Sequence, residues 1–308
     1  MTKFGSRIVP LLAVLATLPG AADDRTTLTI PADGTLAMRV NGVEGRIRVD
    51  PSGLPRMICN PDFAVRAGII AKGRTVILTD PADAYGSYGT VTLRLAGRTQ
   101  QLPVYWLGNH YVEDADCVIA PGLIGVDVAR FVLRSSVRGE RTVAMPLNPG
   151  GESSPDWNGA AATAVRIGDR DVSVGFTLLQ PGNTVTARTA LRISGAYGGR
   201  YAGEAVRTEA ASGRERLLRR MVLATPMAIG PVTINEMQVR VTDWGSARQI
   251  KRVEEVDAPA DPNEVNVVAR AEHDDTFERL MVGTDALKRC SSIVVDLRAR
   301  EIRLTCAE

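Results

Sequence analysis

The sequence predicts a mostly β protein built from two similar halves. Gly (29) and Pro (17) are plentiful among the 308 residues and only 5% of residues are aromatic, a mixture that favours short strands and turns over long helices. Alternating apolar and polar residues predict strands, clearest in residues 27–50 and 231–242. No segment has the periodicity of a helix longer than three turns. A hydrophobic content of 44% against 23% charged residues fits a folded protein with a sizeable core.

A repeated order of elements is the evidence for two halves. Residues 41–69 (NGVEGRIRVDPSGLPRMICNPDFAVRAGI) predict a strand, a polar turn, another strand and a short helix, with the turn at Asp50-Pro51-Ser52-Gly53. Residues 168–193 (GDRDVSVGFTLLQPGNTVTARTALRI) predict the same order around Gln180-Pro181-Gly182-Asn183. Each half later has an apolar pair before a small residue, at 118–122 and 281–285. Similar order and separation indicate an internal duplication.

Breaks in these patterns suggest the domain boundaries. The stretch MPLNPGGESSPDWN at 145–158 is rich in Pro, Gly, Ser and Asn, as linkers are. We expect a signal peptide at 1–22, a first lobe at 23–147, a linker at 148–158 and a second lobe at 159–308. The acidic, proline-containing stretch at 254–264 is predicted to be an exposed loop of the second lobe.

The N-terminus has the three parts of a secretory signal peptide. A basic start, Met1 to Arg7, precedes an apolar run, Ile8 to Leu18, and the small residues Gly20-Ala21-Ala22. The apolar run is too short to span a bilayer unaided, although an uncleaved anchor is an alternative. The pattern predicts a periplasmic or secreted protein, most simply a bacterial one.

The charge balance argues against nucleic-acid or membrane-surface partners. The formal net charge is +2, and Lys3 and Arg7 of the signal account for it, because this segment contains no acid. The remaining chain is neutral and has no global basic field. We therefore expect no nucleic-acid partner and no membrane contact beyond the signal peptide.

The four cysteines predict two structural disulfides. Four cysteines allow three pairings. The sequence between Cys290 and Cys306 reads as a hairpin whose turn, near Arg298-Ala299, lies midway between them. This favours Cys290–Cys306 and leaves Cys59–Cys117. Such pairs suit an oxidising compartment.

Other chemistries lack their residues. The chain has two histidines and no Cys-x-x-Cys, so His110 with the acids of 113–116, and His273 with Asp274 and Asp275, are better explained as surface loops than as metal sites. No Gly-x-Ser-x-Gly, Walker-type loop or dinucleotide-binding fingerprint occurs. We expect no metal and no cofactor.

The quoted segments resemble the retropepsin-like aspartic protease family in its two-lobed, pepsin-type form. Residues 282–304 (VGTDALKRCSSIVVDLRAREIRL) resemble the closing segment of that family. VNGVEGRIRVDPSG at 40–53 resembles the approach to its Asp-Thr-Gly turn, with Asp50 at the aspartate, and CVIAPGLIGVD at 117–127 resembles the apolar-apolar-Gly partner. FTLLQPGN at 176–183 puts Gln180 at the second aspartate. The resemblance implies two β-barrel lobes in a bilobal architecture covering most of residues 35–308.

The resemblance also implies that catalysis is impaired. In the family, two carboxyls share a proton around a water, because one acts as base and the other donates to the substrate carbonyl. Here Asp50 is paired with an amide, Gln180, which cannot ionise. The family's threonine, which links the two turns, corresponds to Pro51 and Pro181, which lack its hydroxyl and N–H. The motif glycine is kept as Gly182 but corresponds to Ser52 in the first half.

A family cleft without chemistry could still bind a ligand. The resemblance implies a groove for an extended peptide or protein partner, with Gly-Tyr segments as possible flaps: Tyr85, Tyr88, Tyr197 and Tyr201. Ordinary turns are the alternative for these segments. Two other functions remain open, an active endopeptidase using Asp50, within one chain or in a homodimer, and a purely structural β module. If the two-lobe interpretation is right, Asp50 and Gln180 should face each other within about 10 Å.

Overall fold

The computed structural model describes residues 26–54, 56–78, 83–95, 97–147, 161–210, 214–243, 245–246 and 279–308. The expected signal peptide (1–22), linker (148–158) and acidic loop (254–264) lie outside these residues. Strands dominate the described part of the chain, and helices are few and short. The mostly β prediction is therefore confirmed.

Six strands before residue 108 and one after it form the first large sheet, which includes the β5–β6 hairpin. Their bounds are β2 Thr35–Val40, β3 Val43–Val49, β4 Met57–Cys59, β5 Gly73–Leu78, β6 Asp83–Leu95, β7 Arg98–Leu107 and β8 Cys117–Ile119. The strand order is β2-β3-β8-β4-β7-β6-β5, and an additional pairing of β2 with β6 closes six of the strands into a barrel. The pairs β3–β8 and β4–β7 are parallel, whereas β2–β3, β4–β8 and β6–β7 are antiparallel.

Two short helical elements belong to the first sheet. Helix α1, Pro61–Arg66, follows β4 and begins with a proline, which suits a first helical position because no N–H is needed there. It buries Phe63, which is fully inaccessible. A 3-10 turn, Pro121–Leu123, follows β8.

The second large sheet is built from the C-terminal half. Its strands are β11 Ala162–Ile167, β12 Arg170–Phe176, β13 Thr184–Val185, β14 Arg200–Tyr201, β15 Val206–Ala210, β16 Arg214–Ile229, β17 Val232–Arg240 and β20 Arg279–Val282. The order is β11-β12-β20-β13-β17-β16-β14, and β15 pairs with β16. Here β12–β20 and β13–β17 are parallel, whereas β11–β12, β13–β20 and β16–β17 are antiparallel. Helix α2, Ala187–Tyr197, follows β13, and helix α3, Thr284–Leu287, follows β20.

A third sheet joins segments from both ends of the chain. It has the order β1-β9-β21-β22-β10, with β1 Thr27–Ile30, β9 Val128–Val132, β10 Arg141–Pro146, β21 Cys290–Asp296 and β22 Glu301–Cys306. A two-stranded ribbon, β18 Thr242–Asp243 and β19 Gly245–Ser246, completes the elements of the described part. One continuous apolar cluster runs from the first barrel into the second sheet, and Phe63, Phe131 and Phe176 are its largest fully buried side chains. The two halves therefore share a core.

Candidate functional site

Asp50 lies at the first position after strand β3, where the first barrel meets the second sheet. Its backbone N–H continues the parallel ladder by donating to Ile119 O at 3.0 Å, and its carbonyl accepts from Gly53 N at 3.0 Å to close a tight turn. A side chain on Gly53 would lie only 3.3 Å from the Ala120 backbone, so glycine suits this close approach. Asp50 is 1% exposed. The turn thus holds a carboxylate in the interior.

Thr177 is the residue that meets Asp50 from the second sheet. It follows strand β12 directly, and its N–H donates to Val282 O at 2.9 Å. The Thr177 hydroxyl donates to Asp50 Oδ1 at 3.0 Å, and Leu178 N donates to the same oxygen at 2.6 Å. Both donors come from the other half of the chain, so the carboxylate links the two halves.

Ser52 makes a second link between the halves. Its hydroxyl donates to Ala161 O at 2.5 Å and accepts from Phe176 N at 2.8 Å. Beside it, Ala161 N donates to Pro51 O at 2.8 Å. Pro51 itself offers no side-chain donor, as expected, but the hydroxyl at the next position cross-links the turn to the second sheet.

Burial dominates the electrostatics of this junction. Loss of water raises the pKa of Asp50 to about 6, although the hydrogen bonds from Leu178 and Thr177 and the positive charge of Arg279 act in the opposite direction. Burial likewise lowers the pKa of Arg279 to about 10, against the attraction of Asp50. Arg279 Nη2 also donates to Ser52 O at 3.3 Å. The pKa of Asp50 is therefore raised without a second carboxylate, because burial disfavours its ionised form.

The segment Gln180 to Asn183 is engaged elsewhere. Gln180 Nε2 donates to Gly182 O at 3.2 Å and to Thr184 Oγ1 at 2.7 Å, not to Asp50. The Gln180 carbonyl accepts from Thr284 N at 3.1 Å, and Asn183 Oδ1 accepts from Gly283 N at 3.1 Å. The segment Gln180 to Asn183 therefore accepts hydrogen bonds from the residues at the start of helix α3.

The expected pairing of Asp50 with Gln180 is accordingly replaced by the pairing with Thr177. The ends of the two strands would have indicated Thr177 as the partner of Asp50. Val49 is the last residue of β3, and Phe176 is the last residue of β12. Asp50 and Thr177 are each the first residue after such a strand. The expected motif was matched to the Pro-Gly turn at 181–182 instead. The residue predicted to face Asp50, Gln180, therefore lies three residues after Thr177.

The four tyrosines suggested as flap residues lie in regular structure. Tyr85 and Tyr88 belong to strand β6 and are 63% and 37% exposed. Tyr197 ends helix α2, and Tyr201 in β14 is buried beneath Arg219, whose guanidinium carbon lies 4.6 Å from the ring centroid. The second Gly-Tyr segment is thus a helix end and a strand rather than a covering loop.

Both predicted disulfides are present. Cys59–Cys117 links the adjacent strands β4 and β8, and Cys290–Cys306 links β21 and β22. Disulfides of this kind fit a secreted or extracellular protein. Among the described residues, no helix has the length and apolar character needed to cross a membrane, and no cluster of three metal-ligating side chains occurs within that part. His110 lies 3.3 Å from Asp62 as an exposed pair.

Comparison with known proteins gives a weak structural similarity and no sequence family. No protein-family model matches the chain, and no curated protein matches it. Among solved structures, the chain is similar to the retroviral protease-like domain of Ddi1 from Leishmania major, with 20% identity over 28% of this chain and 69% of that chain and a TM-score of 0.23.

Proposed function

We propose that this protein is an exported, catalytically silent relative of the two-lobed aspartic proteases that binds an extended peptide or protein segment between its halves. In this proposal the first barrel with its hairpin and the second sheet are copies of one retropepsin-like lobe, spanning 23–147 and 159–308 around a linker at 148–158.

The pairing directions support the duplication. From β2 onwards the first six strands pair in the sequence antiparallel, parallel, antiparallel, parallel, antiparallel. From β11 onwards the second sheet repeats that sequence. A helix follows the fourth strand of each path, namely α1 after β4 and α2 after β13. Independent sheets have no reason to share five successive pairings and the helix position.

The observation that carries catalytic silence is the partner of Asp50. A shared-proton pair needs two carboxyls close enough that both cannot ionise. Thr177 stands where the second carboxyl would be, and its hydroxyl cannot act as a base near neutral pH. Asp50 Oδ1 is also occupied by two donors. These residues supply no second acid. They also give a water no access to that oxygen.

Peptide binding is supported by parts of the surface that do not depend on the lost second carboxyl. Among the strands that the structure describes, β5 lies at the edge of the first sheet and pairs with β6 alone, so its outer backbone groups can add a strand. Tyr85 and Tyr88 stand on the neighbouring strand with much of their rings exposed. Strand addition draws affinity from main-chain hydrogen bonds and does not need the lost carboxyl.

Selection from a random heptapeptide library displayed on phage tests the binding function. The purified protein should enrich a recognisable set of extended sequences over an uncoated surface. Failure to enrich any set, with the protein folded by circular dichroism, would contradict the proposal.

A further inference from the structure

The first barrel closes through two residue pairs, and one of them joins two arginines. Strand β2 meets β6 with Arg39 opposite Arg94 and Val40 opposite Leu93. Val40 and Leu93 point into the core and are 0% and 1% exposed. Because side chains alternate along a strand, Arg39 and Arg94 lie on the outer face, and both are exposed. We call these two residues the arginine pair.

The arginine pair places two like charges side by side. Residues directly opposite each other on antiparallel strands have their Cβ atoms about 5 Å apart, and like charges at this spacing destabilise the pairing. Neither guanidinium makes a hydrogen bond or an ion pair with the residues that the structure describes. The closure of the barrel therefore brings two positive charges together without an ion pair to either of them.

The cross-strand neighbours leave this outer face positive. Glu44 lies opposite Arg39 on β3, and the exposed Arg46 follows two residues later on the same face of that strand. Three arginines against one glutamate leave a surplus of two positive charges. On the other side, the exposed Thr99 of β7 lies opposite Arg94 and adds a hydroxyl. The row therefore combines two charged forks with a neutral donor.

We propose that the arginine pair binds a phosphate group, either free in solution or carried on a lipid headgroup. A dianionic phosphate balances two guanidinium charges and has enough oxygens to accept from both forks, whereas a carboxylate is filled by one arginine. The Thr99 hydroxyl can donate a further hydrogen bond. This site is independent of the proposed peptide binding, because it uses neither strand β5 nor the Asp50 turn.

Urea unfolding in inorganic phosphate, with chloride at the same ionic strength as reference, tests the site. A ligand that binds only the folded protein multiplies the folding equilibrium constant by 1 + [L]/Kd, which is about 11-fold when phosphate is at about ten times its Kd. Arg39→Gln and Arg94→Gln should each raise the Kd about 10-fold or more, because one charged fork is lost. In chloride both variants should be at least as stable as the wild type, because the repulsion is relieved. Arginines with a merely structural role would not give this combination.

Arg130→Gln is the matched control, since Arg130 is an exposed arginine on β9 of the third sheet, and it should keep the wild-type response to phosphate.

Vesicles of phosphatidylcholine, alone or with phosphatidic acid, distinguish the two sources of the phosphate group. Co-sedimentation that needs phosphatidic acid and is lost in Arg94→Gln assigns the site to a lipid headgroup. A response to inorganic phosphate without co-sedimentation assigns it to a soluble phosphate. A wild-type protein that responds to neither probe, or a response that is equal in both glutamine variants of the arginine pair, would overturn this inference and leave the proposed peptide binding unaffected.

Discussion

The Thr177 hydroxyl donates a 3.0 Å hydrogen bond to Asp50 Oδ1, across a separation of 127 residues in the chain. Each of the two residues lies directly after a strand that has a parallel neighbour. Thr177 presents a neutral donor to a carboxylate that is 1% exposed. The contact therefore joins the two halves through one carboxyl, whereas a pair that shares a proton needs two.

The buried Asp50 predicts that stability falls as pH rises through the mildly acidic range. Its pKa is 3.8 in ordinary surroundings and about 6 in the folded protein, so between these values the unfolded chain releases a proton that the folded protein keeps. The free energy of unfolding should drop by about 2 kcal/mol from about pH 4 to pH 7. Urea unfolding at several pH values, with Asp50→Asn as reference, measures this. An equal pH dependence in the two proteins would argue against a raised pKa.

Thr177→Asp should place two carboxyls within hydrogen-bonding distance. They can share one proton at acidic pH but repel each other when both ionise, so the pair titrates with one strongly raised pKa. We expect the variant to lose about 3 kcal/mol of stability at neutral pH and to recover most of it near pH 4. Thr177→Ser, which keeps the hydroxyl, should remain within about 1 kcal/mol of the wild type. A Thr177→Asp protein of unchanged stability would mean that residue 177 does not face Asp50.

Gly175 and Ser52 should be energetically coupled. A Cβ at position 175 would come 2.5 Å from Ser52 Oγ and 2.9 Å from Met281 Sδ, so Gly175→Ala should cost about 1–3 kcal/mol through overpacking. In a Ser52→Gly background the hydroxyl is gone, and the same change should cost about 1 kcal/mol less. A double-mutant cycle by urea unfolding measures the coupling. Simple additivity would show that the two residues are not in contact.

The two disulfides should contribute unequally. Cys59–Cys117 spans 58 residues and Cys290–Cys306 spans 16. On the chain-entropy account, closing the longer loop stabilises by about 4 kcal/mol and the shorter by about 3 kcal/mol. Replacing both cysteines of one pair by Ala should therefore lower the free energy of unfolding further for Cys59 and Cys117. The opposite order would show that loop length does not set the difference.

Features set by local spacing could be predicted from the sequence. The Cys290–Cys306 pairing was predictable because a hairpin places residues that are symmetric about its turn opposite each other. The structure contains this hairpin, with strands Cys290–Asp296 and Glu301–Cys306. The strands and the short helix at Pro61–Arg66 follow from alternation and from a proline start.

Features that depend on distant packing could not be predicted in this way. The partner of Asp50 required the end of strand β12 to be known, and a polar turn three residues later, Gln180 to Asn183, imitated the expected motif. Ser52 meets Ala161 and Arg279 across 109 and 227 residues, contacts that no local pattern encodes. Tyr197 looked like part of a Gly-rich loop because Gly198, with φ 66°, ends helix α2 in the left-handed conformation that glycine favours.

The most direct test of catalytic silence is incubation of the purified protein with a denatured protein mixture from about pH 3 to pH 7, beside Asp50→Asn. Both proteins should be shown to be folded by circular dichroism, and products should be read by mass spectrometry. The pairing of Asp50 with Thr177 predicts no cleavage by either protein at any pH. Cleavage by the wild type that disappears in Asp50→Asn would contradict it and show that a second acid completes the site.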